Sequence, residues 1–180
     1  MSSPTVSLPT RSLPNVLTLI GMPGSGKSTI ATILAEQFDR PLIDVDTVIE
    51  QRHGGMPLGE ILRELGREKF LDAEADAVES LTPTTAVIAP GGSVIYRPRC
   101  MDHLRRLGPV VYLQLTLDQL TPRLGDLAAR GVAGNEGGLP ALFAERTPLY
   151  EEHATQTVDA SGTEPNVVAE RVVATVTSDQ

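Results

Sequence analysis

The stretch Gly21-Met22-Pro23-Gly24-Ser25-Gly26-Lys27-Ser28-Thr29 fits the pattern G-x-x-x-x-G-K-[ST] without a mismatch. Glycines at these positions let backbone N–H groups turn inward around phosphate oxygens, and a helix starting behind them adds partial positive charge. Gly21, Pro23, Gly24, Ser25, Gly26 and Thr29 would line the cradle of a nucleoside triphosphate such as ATP. Lys27 can reach the β- and γ-phosphates, and the Ser28 hydroxyl can ligate Mg²⁺. Further along stand residues able to do chemistry beside a phosphate: the carboxylates Asp44 and Asp46, the pair Gly91-Gly92, and Arg146.

These residues need a frame. Residues 16–20 form an apolar, β-prone run ahead of the glycines, and Ile30, Ile33, Leu34 and Phe38 after them share a helical face. Strands are expected at 16–20, 41–46, 85–89, 110–115 and 157–159. Between them the pattern predicts helices at 47–51, 58–65, 67–81, 99–107, 117–127 and 139–151, and a closing helix at 165–176 with Pro165 in its first turn. Gly66 separates the second and third of these helices. Phe70, Leu71, Ala73, Ala77, Val78 and Leu81 are expected to be buried. Residues 128–138, with four glycines, read as a flexible loop. Strands alternating with helices imply a mainly parallel sheet covered on both faces. Ligands in such folds gather at the carboxyl ends of the strands, and the phosphate cradle, Asp44, Asp46, Gly91 and Gly92 all fall at such ends.

The bulk properties narrow the class. A chain of 180 residues with 41% hydrophobic and 21% charged residues reads as one globular domain. Residues 1–14, rich in Ser, Thr and Pro, are expected to be a disordered tail, and 15–180 the single domain. A net charge of −8 without a basic run argues against a nucleic-acid partner. Cys100 is the only cysteine, so an internal disulfide and a CxxC metal site are both excluded. His53, His103 and His153 lack metal-ligand spacing. No apolar run approaches the ~20 residues of a membrane span, and the opening lacks the apolar core of a secretory signal. A cytoplasmic location and a monomer are the resulting expectations.

Taken together, the residues resemble the shikimate kinase family of small phosphate-loop kinases. The likeness runs from about residue 16 to 173 and rests on pieces in the family's order. These are Gly21–Thr29, Leu42-Ile43-Asp44-Val45-Asp46, Gly66-Arg67-Glu68-Lys69-Phe70 with Glu74, Val87-Ile88-Ala89-Pro90-Gly91-Gly92, Val110-Val111-Tyr112-Leu113 and Arg146-Thr147-Pro148-Leu149-Tyr150. The resemblance implies a three-layer α/β/α fold around a five-stranded parallel sheet. It also implies a helical substrate-binding insertion at about 46–81 and a short lid at about 128–138. It implies ATP-dependent phosphorylation of shikimate with Mg²⁺. Asp44 would hold the metal with Ser28, Asp46 would bind substrate hydroxyls and accept the attacking proton, and Gly91 and Gly92 would offer N–H groups beside the substrate. Arg146 would pair with the substrate carboxylate, Arg123 would lie by the adenine, and the lid arginine Arg130 would reach the γ-phosphate. Physical chemistry agrees: phosphoryl transfer needs positioning and charge neutralisation, Mg²⁺ keeps several waters, and a planar guanidinium suits a carboxylate.

Four departures stand on the page. Leu71 occupies the position of the family's second carboxylate-binding arginine, and Ser93 replaces the third glycine of a triple. The segment after Arg130 reads Gly131-Val132 rather than Pro-Leu, and Ser161-Gly162-Thr163 offers no adenine-side arginine. Arg67, Arg97 and Arg99 are candidate replacements for the missing cation. Three readings stay open: shikimate kinase, a related kinase of homoserine or another small hydroxylated amino acid, and a nucleotide-binding relative without catalysis.

Overall fold

The computed structural model describes residues 13–124, 137–162 and 164–178. Five strands, β1 (Val16–Ile20), β2 (Leu42–Asp44), β3 (Ala86–Ala89), β4 (Val110–Gln114) and β5 (Gln156–Asp159), form one sheet in the order β2-β3-β1-β4-β5. Every neighbouring pair is parallel. Strands β1, β3 and most of β4 are buried along their length, as expected for strands covered on both faces.

The helices are α1 (Lys27–Gln37), α2 (Val45–Arg52), α3 (Leu58–Glu79), α4 (Pro98–Leu107), α5 (Leu117–Leu120), α6 (Gly138–His153) and α7 (Pro165–Ser178). The crossover β1-α1-β2 runs towards one edge and β3-α4-β4 towards the other, so right-handed connections place α1 and α4 on opposite faces. The packing agrees: α1 lies against α7, and α4 against α3. The α/β architecture anticipated from the pattern is therefore present, with β1 at the centre and the phosphate cradle at its carboxyl end.

Several boundaries differ from expectation for identifiable reasons. β2 ends at Asp44 because the Asp44 carboxylate accepts a hydrogen bond from Thr47 N–H at 3.2 Å and caps α2. Asp46 therefore lies in the first turn of α2 and not on a strand. Of the helix expected at 117–127, residues 117–124 form α5 followed by a tight turn at Thr121–Arg123, and residues 125–127 lie outside the described residues. Pro122 cannot donate to an α-helical ladder, and the chain leaves helical geometry at Leu124. Gly66 interrupts α3 with φ 74° and ψ 164°, a backbone that side chains resist, so the anticipated two-helix reading survives as a break. Ala73 and Leu81 are half-buried rather than buried, and Leu13, expected in the tail, packs into the core.

Pro165 opens α7 as expected. Cys100 is buried, and burial pushes its thiol up to about 12. His53 and His103 hydrogen-bond to the backbone carbonyls of Ile49 and Leu81, each at 2.8 Å, which are structural roles. No helix among the described residues is long and apolar enough to cross a membrane.

Candidate active site

The turn between β1 and α1 wraps a space rather than filling it. Gly24 and Gly26 have φ of 77° and 91°, the left-handed region that favours glycine. A methyl at Gly24 would press on the Leu124 side chain at 3.0 Å, whereas one at Gly26 would meet nothing within 4 Å. The cradle therefore opens onto free space at Gly26. That residue caps α1, and no side chain satisfies the first-turn N–H groups behind it. Unsatisfied donors with the positive end of a helix dipole form an anion site. The Lys27 ammonium donates to the carbonyls of Gly21 and Met22, at 2.8 and 3.0 Å. Burial lowers it to about 8, against the opposing pull of Asp46.

A cavity of about 190 Å³ lies beside this cradle. Its walls include Pro23, Gly24, Lys27, Ser28, Asp44, Asp46, Phe70, Gly91, Gly92, Ser93 and Arg146. The sequence-expected donor and acceptor residues thus meet in one place, from five separate segments. Ser28 and Asp44 bring a hydroxyl and a carboxylate to the same wall. Among the described residues no three His, Cys, Asp or Glu side chains gather to hold a metal unaided. Such a sparse set of hard oxygens fits Mg²⁺, which takes its remaining ligands from water and phosphate.

Asp46 is the more unusual carboxylate. Its Oδ1 is buried without a hydrogen-bond partner. Burial, reinforced by the Asp44 charge, pushes Asp46 up to about 6. Behind it sits Glu74 from α3, 1% exposed, with Oε2 accepting a hydrogen bond from the Ser93 hydroxyl at 2.7 Å and Oε1 without a partner. Burial pushes Glu74 up to about 7, although the Ser93 hydrogen bond opposes this. Glycine is required between these groups: a methyl at Gly91 would meet Glu74 Oε1 at 2.7 Å and Asp46 Oδ1 at 2.9 Å.

The cation opposite is Arg146, only 1% exposed. Its Nε donates to the Tyr96 hydroxyl at 3.0 Å, and the guanidinium lies 5.1 Å from the centre of the Tyr96 ring. Arg146 and Tyr150 are four residues apart on α6 and so share a face. The Tyr150 hydroxyl donates to the Gly92 carbonyl at 2.6 Å, and its ring stacks on Tyr112 at 5.1 Å between centroids. A methyl at Gly92 would touch Arg146 Nη1 at 2.9 Å. The loop after β3 is therefore held between Asp46 and Arg146 by close packing.

The architecture has known counterparts. The chain matches the "Shikimate kinase" family over residues 23–177. The chain belongs to the shikimate kinase family. Among relatives called shikimate kinase, that of Thermodesulfovibrio yellowstonii is 32% identical over 161 residues, covering 87% of this chain and 92% of the relative. That of Paracidovorax citrulli is 40% identical over 142 residues, covering 76% and 77%. The solved shikimate kinase of Acinetobacter baumannii in complex with shikimate superposes with a TM-score of 0.84 at 28% identity, covering 94% of this chain and 96% of that one.

Not every expected residue lines this cavity. Arg123 faces a second cavity of about 370 Å³ on the other side of the cradle, with Ser25, Gly26, Thr29, Gly162 and Pro165 in its walls. Its Nη2 donates to the Gly162 carbonyl at 3.0 Å. Arg130 and most of the expected shikimate kinase lid, up to residue 136, lie outside the described residues. Leu71, at the position of the family's second arginine, is 2% exposed and belongs to the apolar core. Of the proposed replacement cations, Arg97 is paired with Glu68 and Asp72, and Arg99 with Asp76 and Glu79. Arg67 lies 4.9 Å from the Tyr96 ring centre and pairs with Glu145 at 3.3 Å. The sequence reading quoted Glu74 and Tyr150 without giving either a role and missed Tyr96. The i, i+4 spacing of Arg146 and Tyr150 was the available signal for Tyr150.

Proposed function

We propose that the protein is a shikimate kinase, transferring the γ-phosphoryl group of ATP to the 3-hydroxyl of shikimate. The observation that carries this reading is one cavity holding a phosphate cradle, a half-buried carboxylate at Asp46 with Oδ1 out of solvent, and a buried guanidinium at Arg146, in a chain of this family. In this reading Gly21, Pro23, Gly24, Ser25, Gly26, Lys27, Ser28 and Thr29 hold the triphosphate, and Arg123 lies on the adenine side. Ser28 and Asp44 would hold Mg²⁺, which supplies charge neutralisation on the phosphate oxygens.

Arg146 clamps the substrate carboxylate, so the ring is anchored at one end. Asp46 orients the attacking hydroxyl at the other end and takes its proton. Its raised affinity for a proton, near 6, suits an acceptor that must bind and then release one close to neutrality. Gly91 and Gly92 present backbone to the substrate edge without side chains in the way. Lys27 exchanges its loop carbonyls for phosphate oxygens and offsets their charge. By resemblance, Arg130 closes from the lid at about 128–138, and α2 with α3 forms the substrate-binding insertion.

The second reading is a kinase of a small hydroxylated amino acid such as homoserine. It is favoured by Leu71, which leaves Arg146 without the second arginine and removes a charge that would repel an ammonium group.

Incubation of the protein with shikimate and ATP·Mg²⁺ should yield a shikimate monophosphate by mass spectrometry, in step with ADP release. A folded Lys27→Ala variant should yield none. ADP release without phosphorylated shikimate, or a normal yield from Lys27→Ala, would overturn the reading.

A further inference from the structure

Ser93 is the one wall residue of the acceptor side whose side chain departs from a glycine expected by resemblance, and it is not idle. It lines the cavity beside Gly91, Gly92 and Arg146, yet is 7% exposed. Its hydroxyl proton is committed: Oγ donates to Glu74 Oε2 at 2.7 Å. A hydroxyl has one proton to give, so towards any other partner the Ser93 oxygen can only accept. Glu74 is itself fixed in the core, 1% exposed, with its second oxygen against Gly91 and no hydrogen-bond partner of its own. Once ionised, above the value of about 7 to which burial pushes it, the carboxylate keeps the full demand for the Ser93 proton.

The position of this acceptor is defined by its neighbours. Gly91 abuts Asp46 and Gly92 abuts Arg146, so these two glycines span the wall between the group that handles the reacting hydroxyl and the group that takes the carboxylate, and Ser93 continues the same wall. A substrate bridging those two groups lies along this wall. We propose that Ser93 is a specificity-determining residue that accepts a hydrogen bond from a non-reacting hydroxyl of the substrate, and that Glu74 is the positioning residue that fixes the direction of the Ser93 hydroxyl. This rests on the shikimate reading and deepens it. The site selects a polyhydroxylated carboxylate over one bearing an ether or carbonyl oxygen at that place, because two acceptors would face each other there.

The test uses steady-state kinetics at about pH 8.5, where Glu74 is ionised, with shikimate and with its two deoxy analogues, each lacking one non-transferred hydroxyl. Ser93→Ala should raise the KM for shikimate about 5–20-fold while kcat and the KM for ATP change less than about 2-fold, the size of one lost hydrogen bond. Ser93→Gly, which removes the hydroxyl with no new methyl, should do the same. The penalty should vanish for the deoxy analogue that lacks the contacted hydroxyl and persist for the other. Glu74→Gln should raise the shikimate KM in the same direction, and the double variant should be no worse than Ser93→Ala alone. An unchanged shikimate KM in both Ser93 variants, a penalty that persists with both analogues, or additive effects of the two sites would overturn the proposal. If the unmodified protein fails to turn over shikimate at all, the parent reading falls and the proposal falls with it; normal turnover with an unmoved Ser93→Ala KM overturns the proposal alone.

Discussion

On the donor side of the cavity, the groups that would hold phosphate come from consecutive residues, Gly21 to Thr29, folded by one strand, one turn and one helix start. On the acceptor side they come from α2, α3, the loop after β3 and α6, and each depends on the others. Asp46 is oriented against Gly91, Gly91 against Glu74, Glu74 against Ser93, and Gly92 against Arg146. A contiguous motif keeps its chemistry wherever it appears, because local backbone geometry makes the site. A dispersed set can change one member and compensate with another. The departures that touch the cavity wall or its backing, Leu71 and Ser93, both fall on the dispersed side.

The comparison can be broken by variants on the acceptor side that leave the donor side alone. Asp46→Asn keeps the shape but removes the proposed proton acceptor. We expect kcat to fall roughly 10²–10³-fold with the KM for ATP nearly unchanged. Equal damage to both would mean the two halves are not separable. Arg146→Lys keeps the charge but loses the planar fork and the Tyr96 contact. The KM for shikimate should rise about 10–100-fold, as for a lost charge-assisted pair, with a smaller effect on kcat. A larger effect on ATP than on shikimate would place Arg146 on the wrong half.

The smallest effect is on stability and concerns Glu74. Burial raises its folded-state value to about 7 from an ordinary 4.5. Between those values the folded chain holds a proton that the unfolded chain has lost. Stability without ligands should therefore rise as pH falls through 7, reach its full gain below about 4.5, and be lost above 7. The gain is on the order of 3 kcal/mol. Asp46, raised to about 6, adds a weaker trend of the same sign. Glu74→Gln should flatten the dependence and melt higher than the unmodified protein at pH 8. An unchanged melting profile between pH 5 and pH 8 would show that Glu74 is not held near neutrality.

The sequence carried the shape of the cradle almost completely, since the turn at Gly24 and Gly26 and the start of α1 at Lys27 follow from local geometry that a motif encodes. It also carried the alternation of strands and helices, because strands buried on both faces read as apolar runs. It placed Asp46 on a strand because an Asp-x-Asp run cannot by itself reveal that Asp44 caps the next helix. It overran α5 because a hydrophobic period continues past Pro122 while the backbone cannot. The Glu74–Ser93 pair was out of reach: the residues are 19 apart in the chain and meet only when α3 packs beneath the loop after β3. Tyr96 was hidden for the same reason, as it and Arg146 come together across 50 residues.

The most direct test of the account is steady-state ADP release with shikimate and with L-homoserine side by side, at saturating ATP·Mg²⁺. The account predicts a kcat/KM for shikimate at least about 100-fold the higher, a difference of roughly 3 kcal/mol in transition-state binding. A preference for homoserine would contradict it and would make Arg146, the one arginine of the cavity wall among the described residues, the signature of a zwitterionic substrate.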